Sequence, residues 1–255
     1  MIWMTSGLHE RRWLDNVVTN YARQTHTDKR LIIVSNGKDL GCAADCIGLP
    51  GVVVLQSESG PAQPLNAALA WLREHANPND WFCKCDADDY YGSGYLDSIR
   101  PAIEAGADYA GRSSLYIRTT EGRLWFVEGK PDAHVVHGPT IAARIATALD
   151  FPIANGWGED TDWCLAMRRA GKSCVTLPPE HFCYQRHAGH AHTWPVSDLE
   201  LRGAWDVEFI DLGPFDADVV NGIKPRPLGM SLGVEPMSPE TFMPFRVLRE
   251  QLGAL

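Results

Sequence analysis

The chain has 255 residues, 45% of them hydrophobic and 22% charged, which is enough apolar material for one large core or two small ones. A formal net charge of -9 excludes a broad basic surface of the kind that binds nucleic acid. Seven cysteines, odd in number and spread over a long chain, point to free thiols in a reducing, cytoplasmic setting, and no apolar run is long enough for a membrane span. Met1-Ile2-Trp3-Met4 is apolar but too short for the core of a secretory leader, and charge follows at His9-Glu10-Arg11-Arg12.

In chain order, Ile2 to Met4 predicts a short strand ending at Thr5-Ser6-Gly7. Leu14, Val17, Val18 and Tyr21 recur at helical spacing and predict a helix over 9–24. The apolar runs 31–34 and 51–55 read as buried strands, the first closed by Ser35-Asn36-Gly37. A helix over 64–75 carries Leu65, Leu69 and Leu72 on one stripe, and a strand over 80–85 runs straight into Asp86, Asp88 and Asp89. Unbroken apolar strands alternating with helices imply an α/β domain with a mixed, mainly parallel central sheet flanked by helices. Ligands of such sheets bind beyond the carboxyl ends of the strands, where Ser6, Asn36 and the Asp86 cluster fall.

Farther on, 95–105 reads as a helix and 108–117 and 123–127 as strands. Residues 138–144 read as an interior strand or a helix start. A helix over 159–170 has acids in its first turn, Arg168 and Arg169 in its last and Gly171 as a cap. A strand over 173–177 follows, and from about Pro195 the chain is rich in Pro and Gly with weak periodicity.

Three constellations carry chemistry. Asp86 and Asp88 are one residue apart, so on an extended segment their carboxylates share a side. They suit a hard divalent cation, but for a bare Asp-x-Asp a solvated acidic turn is the commoner reading. Asn155-Gly156-Trp157-Gly158-Glu159-Asp160-Thr161-Asp162-Trp163 opens a helix with carboxylates, which capping would explain. Trp157 and Trp163 beside them suit a sugar platform or core packing. The segment 184–194 holds Arg186, fit to fork onto a phosphate, and His187, His190 and His192. Their spacing matches no structural zinc pattern, and a single imidazole joining Asp88 on a cation is the alternative.

In this order the pieces resemble the family 2 glycosyltransferases of the GT-A fold, the nucleotide-diphospho-sugar transferase architecture. Arg23-Gln24-Thr25 followed by Leu31-Ile32-Ile33-Val34-Ser35-Asn36-Gly37, the segment from Gly60 to Asn66, Asp86-Ala87-Asp88-Asp89, Gly158-Glu159-Asp160-Thr161-Asp162 and Tyr184-Gln185-Arg186 are similar to that family's successive motifs. The resemblance covers residues 1–195. It implies a nucleotide-binding half over 1–90, an acceptor half over 91–195, and a C-terminal extension over 196–255 that wraps the domain or is partly mobile.

The resemblance also implies roles. Asp88 would bind Mn²⁺ or Mg²⁺, and Asp86 would contact the ribose or the metal shell. His192, or less directly His190 or His187, would be the late metal ligand. Asp160 would be the general base with Glu159 beside it. Ser6, Asn36, Asn66 and Arg186 would bind the nucleotide-sugar, and Trp157 and Trp163 the acceptor. The expected reaction is metal-dependent, inverting transfer of a single sugar from a nucleotide-sugar, UDP-linked by default, to a glycan or other hydroxyl acceptor. Two departures leave the nucleotide open: Ser35-Asn36 stand where the family often has Asp, and Leu65 where it often has Arg. The rivals are a nucleotidyltransferase on a similar sheet and a non-catalytic carbohydrate-binding protein.

Overall fold

The structure is a computed structural model that describes residues 1–46, 49–129, 135–153, 158–187, 197–198, 201–202 and 208–232. Its strands, in chain order, are β1 (Ile2–Leu8), β2 (Lys29–Asn36), β3 (Val52–Ser57), β4 (Trp81–Lys84), β5 (Tyr90–Tyr91), β6 (Tyr109–Arg112) and β7 (Leu115–Arg118). They continue with β8 (Arg123–Val127), β9 (Ala142–Arg144), β10 (Cys174–Leu177), β11 (Phe182–Gln185), β12 (Phe209–Pro214) and β13 (Met230–Ser231). The helices that matter here are α1 (Leu14–Ala22), α2 (Cys42–Asp45), α3 (Gln63–His75), α4 (Arg100–Glu104) and α5 (Glu159–Arg169).

One sheet runs in the order β10-β6-β9-β4-β1-β2-β3. Its pairs are parallel except where β9 lies antiparallel between β4 and β6. The strands alternate their side chains between two apolar layers. Ile2, Met4, Leu31, Ile33 and Trp81 face α1 and the second sheet. Trp3, Ile32, Val34 and Phe82 face Leu65, Leu69 and Leu72 of α3 and Trp163 and Met167 of α5. Burial on both faces explains why these strands are continuous apolar runs rather than alternating ones.

The second sheet has the order β13-β12-β8-β7-β11-β5. The expected single strand over 108–117 is two strands in two sheets, parted at Ser113-Ser114, so β6 continues the large sheet and β7 begins the hairpin with β8. The C-terminal extension enters here: β12 pairs with β8 on one side and β13 on the other, and Phe209 is fully buried. The helix expected over 95–105 is a 3-10 turn, Asp97–Ile99, followed by the short α4, because Pro101 sets the first turn. All seven cysteines are free thiols, six of them buried. Among the described residues no helix is long and apolar enough to cross a membrane.

Candidate active site

β4 lies between β1 and β9, and its end is fixed on both sides. Lys84 stands opposite Thr5 of β1, its backbone N–H donates to the Ile141 carbonyl at 2.8 Å, and that of Cys85 donates to the Thr5 carbonyl at 2.9 Å. The chain then turns through Asp86, Ala87, Asp88 and Asp89. Two asparagines of α1 hold this turn from below. Asn16 Nδ2 donates to the carbonyls of Ala87 (2.8 Å) and Asp89 (2.9 Å), and Asn20 Nδ2 to that of Asp89 (2.9 Å). The Asp86 N–H donates to the Tyr91 hydroxyl at 2.8 Å, which donates in turn to the Pro139 carbonyl at 2.9 Å.

The three acids of the turn have different surroundings. Asp89 is fully buried and accepts from the Gln185 N–H at 2.8 Å, which ties the turn to β11; burial, with Asp88 and Asp86 adding, pushes its carboxyl well above the usual range. Asp88 is pushed up to about 7, by burial first and by the neighbouring Asp86 second. Its backbone carbonyl lies 3.0 Å from His187 Nε2, so the late His-bearing segment does return to the acidic turn. Asp86 is the most open of the three, with 36% of its side chain exposed.

α5 begins at Gly158, whose φ of 102° is left-handed and suits glycine. Its first turn carries Glu159, Asp160 and Asp162 at the positive end of the helix. Asp160 packs against Gly138, where a Cβ would overlap its carboxylate, so the glycine makes room for the acid. Lys84 joins the two acidic elements: its Nζ is 2.7 Å from Asp86 Oδ1 and 3.3 Å from Asp160 Oδ2. Burial works against the Lys84 charge, but Asp160, Asp86 and Glu159 outweigh it and hold the ammonium well above the usual lysine range. Asp160 is pushed up to about 7, chiefly by burial, with Lys84 pulling it down and Glu159 and Asp86 pushing it up. Its Oδ1 is buried, with no hydrogen-bond partner among the described residues.

The remaining expected site residues have other work. Trp163 is fully buried, donates its indole N–H to the Leu149 carbonyl at 2.8 Å, and stacks on Phe151 with centroids 5.0 Å apart. It is a core residue of the α5 face, which corrects its assignment to an acceptor. The Asn66 amide is closed in a reciprocal pair with the Phe151 backbone, at 2.8 and 2.7 Å. Asn36 is buried and makes the same kind of pair with Gly60, at 2.9 Å each way, while its Nδ2 also lies 3.0 Å from His9 Nδ1. Ser6 is enclosed beneath the acidic turn, on a cavity of about 10 Å³ that it shares with Asn20, Cys85 and Tyr91; this is room for about one water. The Arg186 side chain is 3% exposed and pairs with Asp198 at 3.3 Å, so its fork is turned inward. Trp157, His190 and His192 lie outside the described residues.

Sequence reasoning missed Lys84 and His9. Lys84 was detectable: a lysine inside Trp81-Phe82-Cys83-Lys84-Cys85 must find carboxylates if that strand is buried. His9 lies within electrostatic reach of Asp86, Lys84 and Glu159. The Asn36 amide is oriented by the Gly60 backbone, so it presents Nδ2 to the His9 ring, 3.0 Å from Nδ1 and 3.4 Å from Nε2.

No protein-family model matches the chain, and no curated protein matches it. Solved structures do. The fold is similar to that of S. aureus TarS 1-349 in complex with UDP-GlcNAc, with a TM-score of 0.58 and 14% identity over 78% of this chain and 62% of that one. TarS 1-349 without that ligand gives 0.54 and 15% over 72% and 60%. GalNAc-T7 with UDP, GalNAc and Mn²⁺ gives 0.57 and 9% over 77% and 46%. The chain thus spans about three fifths of the TarS structures and less than half of GalNAc-T7. These neighbours are GT-A glycosyltransferases, and the mainly parallel sheet with its flanking helices is the GT-A fold.

Proposed function

We propose that this protein is a family 2-like, metal-dependent, inverting glycosyltransferase that moves one sugar from a nucleotide-sugar, UDP-linked by default, to an acceptor hydroxyl. One observation carries the proposal: Asp86, from the acidic strand-end turn, and Asp160, from the first turn of α5, meet on a single buried ammonium. Two acids far apart in sequence are thereby held at one place on the carboxyl edge of the sheet. The solved neighbours support it, since TarS is seen with UDP-GlcNAc and GalNAc-T7 with UDP, GalNAc and Mn²⁺.

The donor set fits a hard divalent cation. Asp86 and Asp88 offer oxygen only, and Mg²⁺ or Mn²⁺ needs just one or two carboxylates when phosphates and waters complete its shell. Among the described residues no third His, Cys, Asp or Glu forms a cluster with them. Asp88 would hold the ion, with Asp86 in its shell or on the ribose. Bound there, the cation would neutralise charge that develops on the departing diphosphate.

The chain's own groups do the rest. Asp160 takes the proton from the acceptor hydroxyl, which is too weak a nucleophile without a base. Its carboxyl, at about 7, is matched to proton transfer near neutral pH. Glu159 stands beside it at the helix start. Asp89, Asn16 and Asn20 keep the acidic turn in place while charge shifts. A carboxylate base opposite the leaving group gives direct displacement and inversion at the anomeric carbon. Seven free thiols accord with a cytoplasmic setting for this reaction.

The test is turnover of a nucleotide-sugar panel with and without Mn²⁺, read as nucleoside diphosphate release and as thermal shift. A donor at 100 times its Kd should stabilise the fold by about 2.7 kcal/mol. Cation-dependent release of nucleoside diphosphate is expected. Release of pyrophosphate would assign the fold to nucleotidyl transfer instead, and stabilisation by a donor with no turnover would make it a binding protein.

A further inference from the structure

We infer that Lys84 is a positioning residue of the reaction proposed above: a built-in cation that holds the base, Asp160, against the donor loop and keeps it ionised. The inference rests on that reading and deepens it.

The geometry is specific. Lys84 emerges from a strand bonded on both sides, so its Cα cannot move without breaking the sheet. Its Nζ contacts one oxygen of Asp86 and one of Asp160, and only 8% of the side chain is exposed. The two acids belong to different elements, the turn after β4 and the start of α5. No other described cation pairs with Asp160, and the acid's Oδ1 has no donor among the described residues. An aspartate enclosed in this way, beside Glu159 and with Asp86 across the ammonium, would stay protonated if it were alone. A protonated carboxyl cannot act as the base. Lys84 is the group that pulls the other way.

A purely structural account fits poorly. A buried ion pair often contributes no net stability compared with apolar residues of the same volume. Methionine would fill the volume of the Lys84 stem without burying any charge of its own. What methionine would lose is the link between the donor loop and the base.

The test uses Lys84→Met, Lys84→Arg and Asp86→Asn in the full chain. The Asp160 carboxyl is titrated by ¹³C NMR, its signal assigned by comparison with Asp160→Asn. Its midpoint should rise by about one pH unit or more in Lys84→Met. It should fall in Asp86→Asn, where the ammonium is no longer shared and a repelling charge is gone. In turnover assays Lys84→Met should lose about 50-fold or more in kcat, with donor KM changed less than about fivefold and the acid limb of the pH profile displaced upward. Lys84→Arg should recover at least about a tenth of the wild-type rate.

An Asp160 midpoint that stays put in both Lys84→Met and Asp86→Asn overturns the inference, as does a Lys84→Met kcat within about threefold of wild type. Should Lys84→Met fail to fold, Lys84→Gln titrated in the same way decides, since only loss of the ammonium raises the Asp160 midpoint. Absence of any turnover by the wild type would remove the transferase reading, while the NMR titrations would still decide whether Lys84 governs Asp160.

Discussion

The loops after β2 and β4 leave the same edge of the same sheet, one strand apart, and use their polar side chains in opposite ways. After β2, Asn36 turns both ends of its amide to the Gly60 backbone and lends a further contact to His9. It is a brace between two loops. After β4, Asp86 and Asp160 share one ammonium, Asp160 keeps an oxygen with no donor among the described residues, and Asp88 is driven up to about 7. That loop crowds carboxylates together at the strand end. A strand's carboxyl end tells where a ligand can bind. Which residue can bind it depends on hydrogen-bonding capacity that the fold has left unused.

The contrast can be broken at several points. Asp160→Asn removes the acid that shares Lys84 with Asp86, and glycosyl transfer, followed as nucleoside diphosphate release, should fall about 10³-fold. A rate within tenfold of wild type would move the base elsewhere. In the wild type, kcat/KM should climb with pH through about 7 and level off, because the base must be ionised. The sign for stability is the reverse. A carboxyl raised in the folded state favours folding at low pH, and that contribution is lost as pH rises from the usual aspartate value through about 7. Thermal melts across this range should therefore decline more steeply in wild type than in Asp160→Asn.

Trp163→Ala should act on the fold rather than the chemistry. Losing a fully buried indole that stacks on Phe151 should cost about 3–5 kcal/mol in denaturant unfolding. A stable variant with weakened acceptor binding would restore Trp163 to the site. Asn36→Ala is the mildest case: it strands the Gly60 N–H and C=O and should cost about 1–3 kcal/mol. A wild-type melting temperature in that variant would show that the brace is dispensable.

The sequence was most readable where one physical rule governed a segment. β2, β3 and β4 are apolar runs because both sheet faces are covered, and α5 shows its ends through its charges. β11 and β12 were missed. Phe182-Cys183-Tyr184-Gln185 offers an apolar run of only three residues between His181 and Gln185, and Phe209–Pro214 lies in a stretch whose glycines and prolines obscured a strand paired on both sides. Among site residues the acids stood out, because carboxylates crowded at a strand end have few bland explanations.

Neutral side chains did not separate in the same way. A tryptophan that stacks on a sugar and one that fills a core look alike in sequence. Spacing held the answer for Trp163, since Met167 lies one turn on and both face the same apolar layer. Asn36 and Asn66 stood in the right order along the chain, but their backbone partners come from segments that only the fold brings near.

The shared ammonium bears on how the protein is made. Lys84 emerges from the ribosome well before Asp160, and until α5 docks it is a lysine in an apolar strand with Asp86 as its main counter-charge. The two ends of this bridge must be brought together across a long stretch of chain, and such closures come late in folding. The central strand can therefore settle fully only when α5 arrives. Completion of the fold and completion of the site are then the same event, and a nascent chain that stops short of α5 carries a buried charge that favours waiting over collapse.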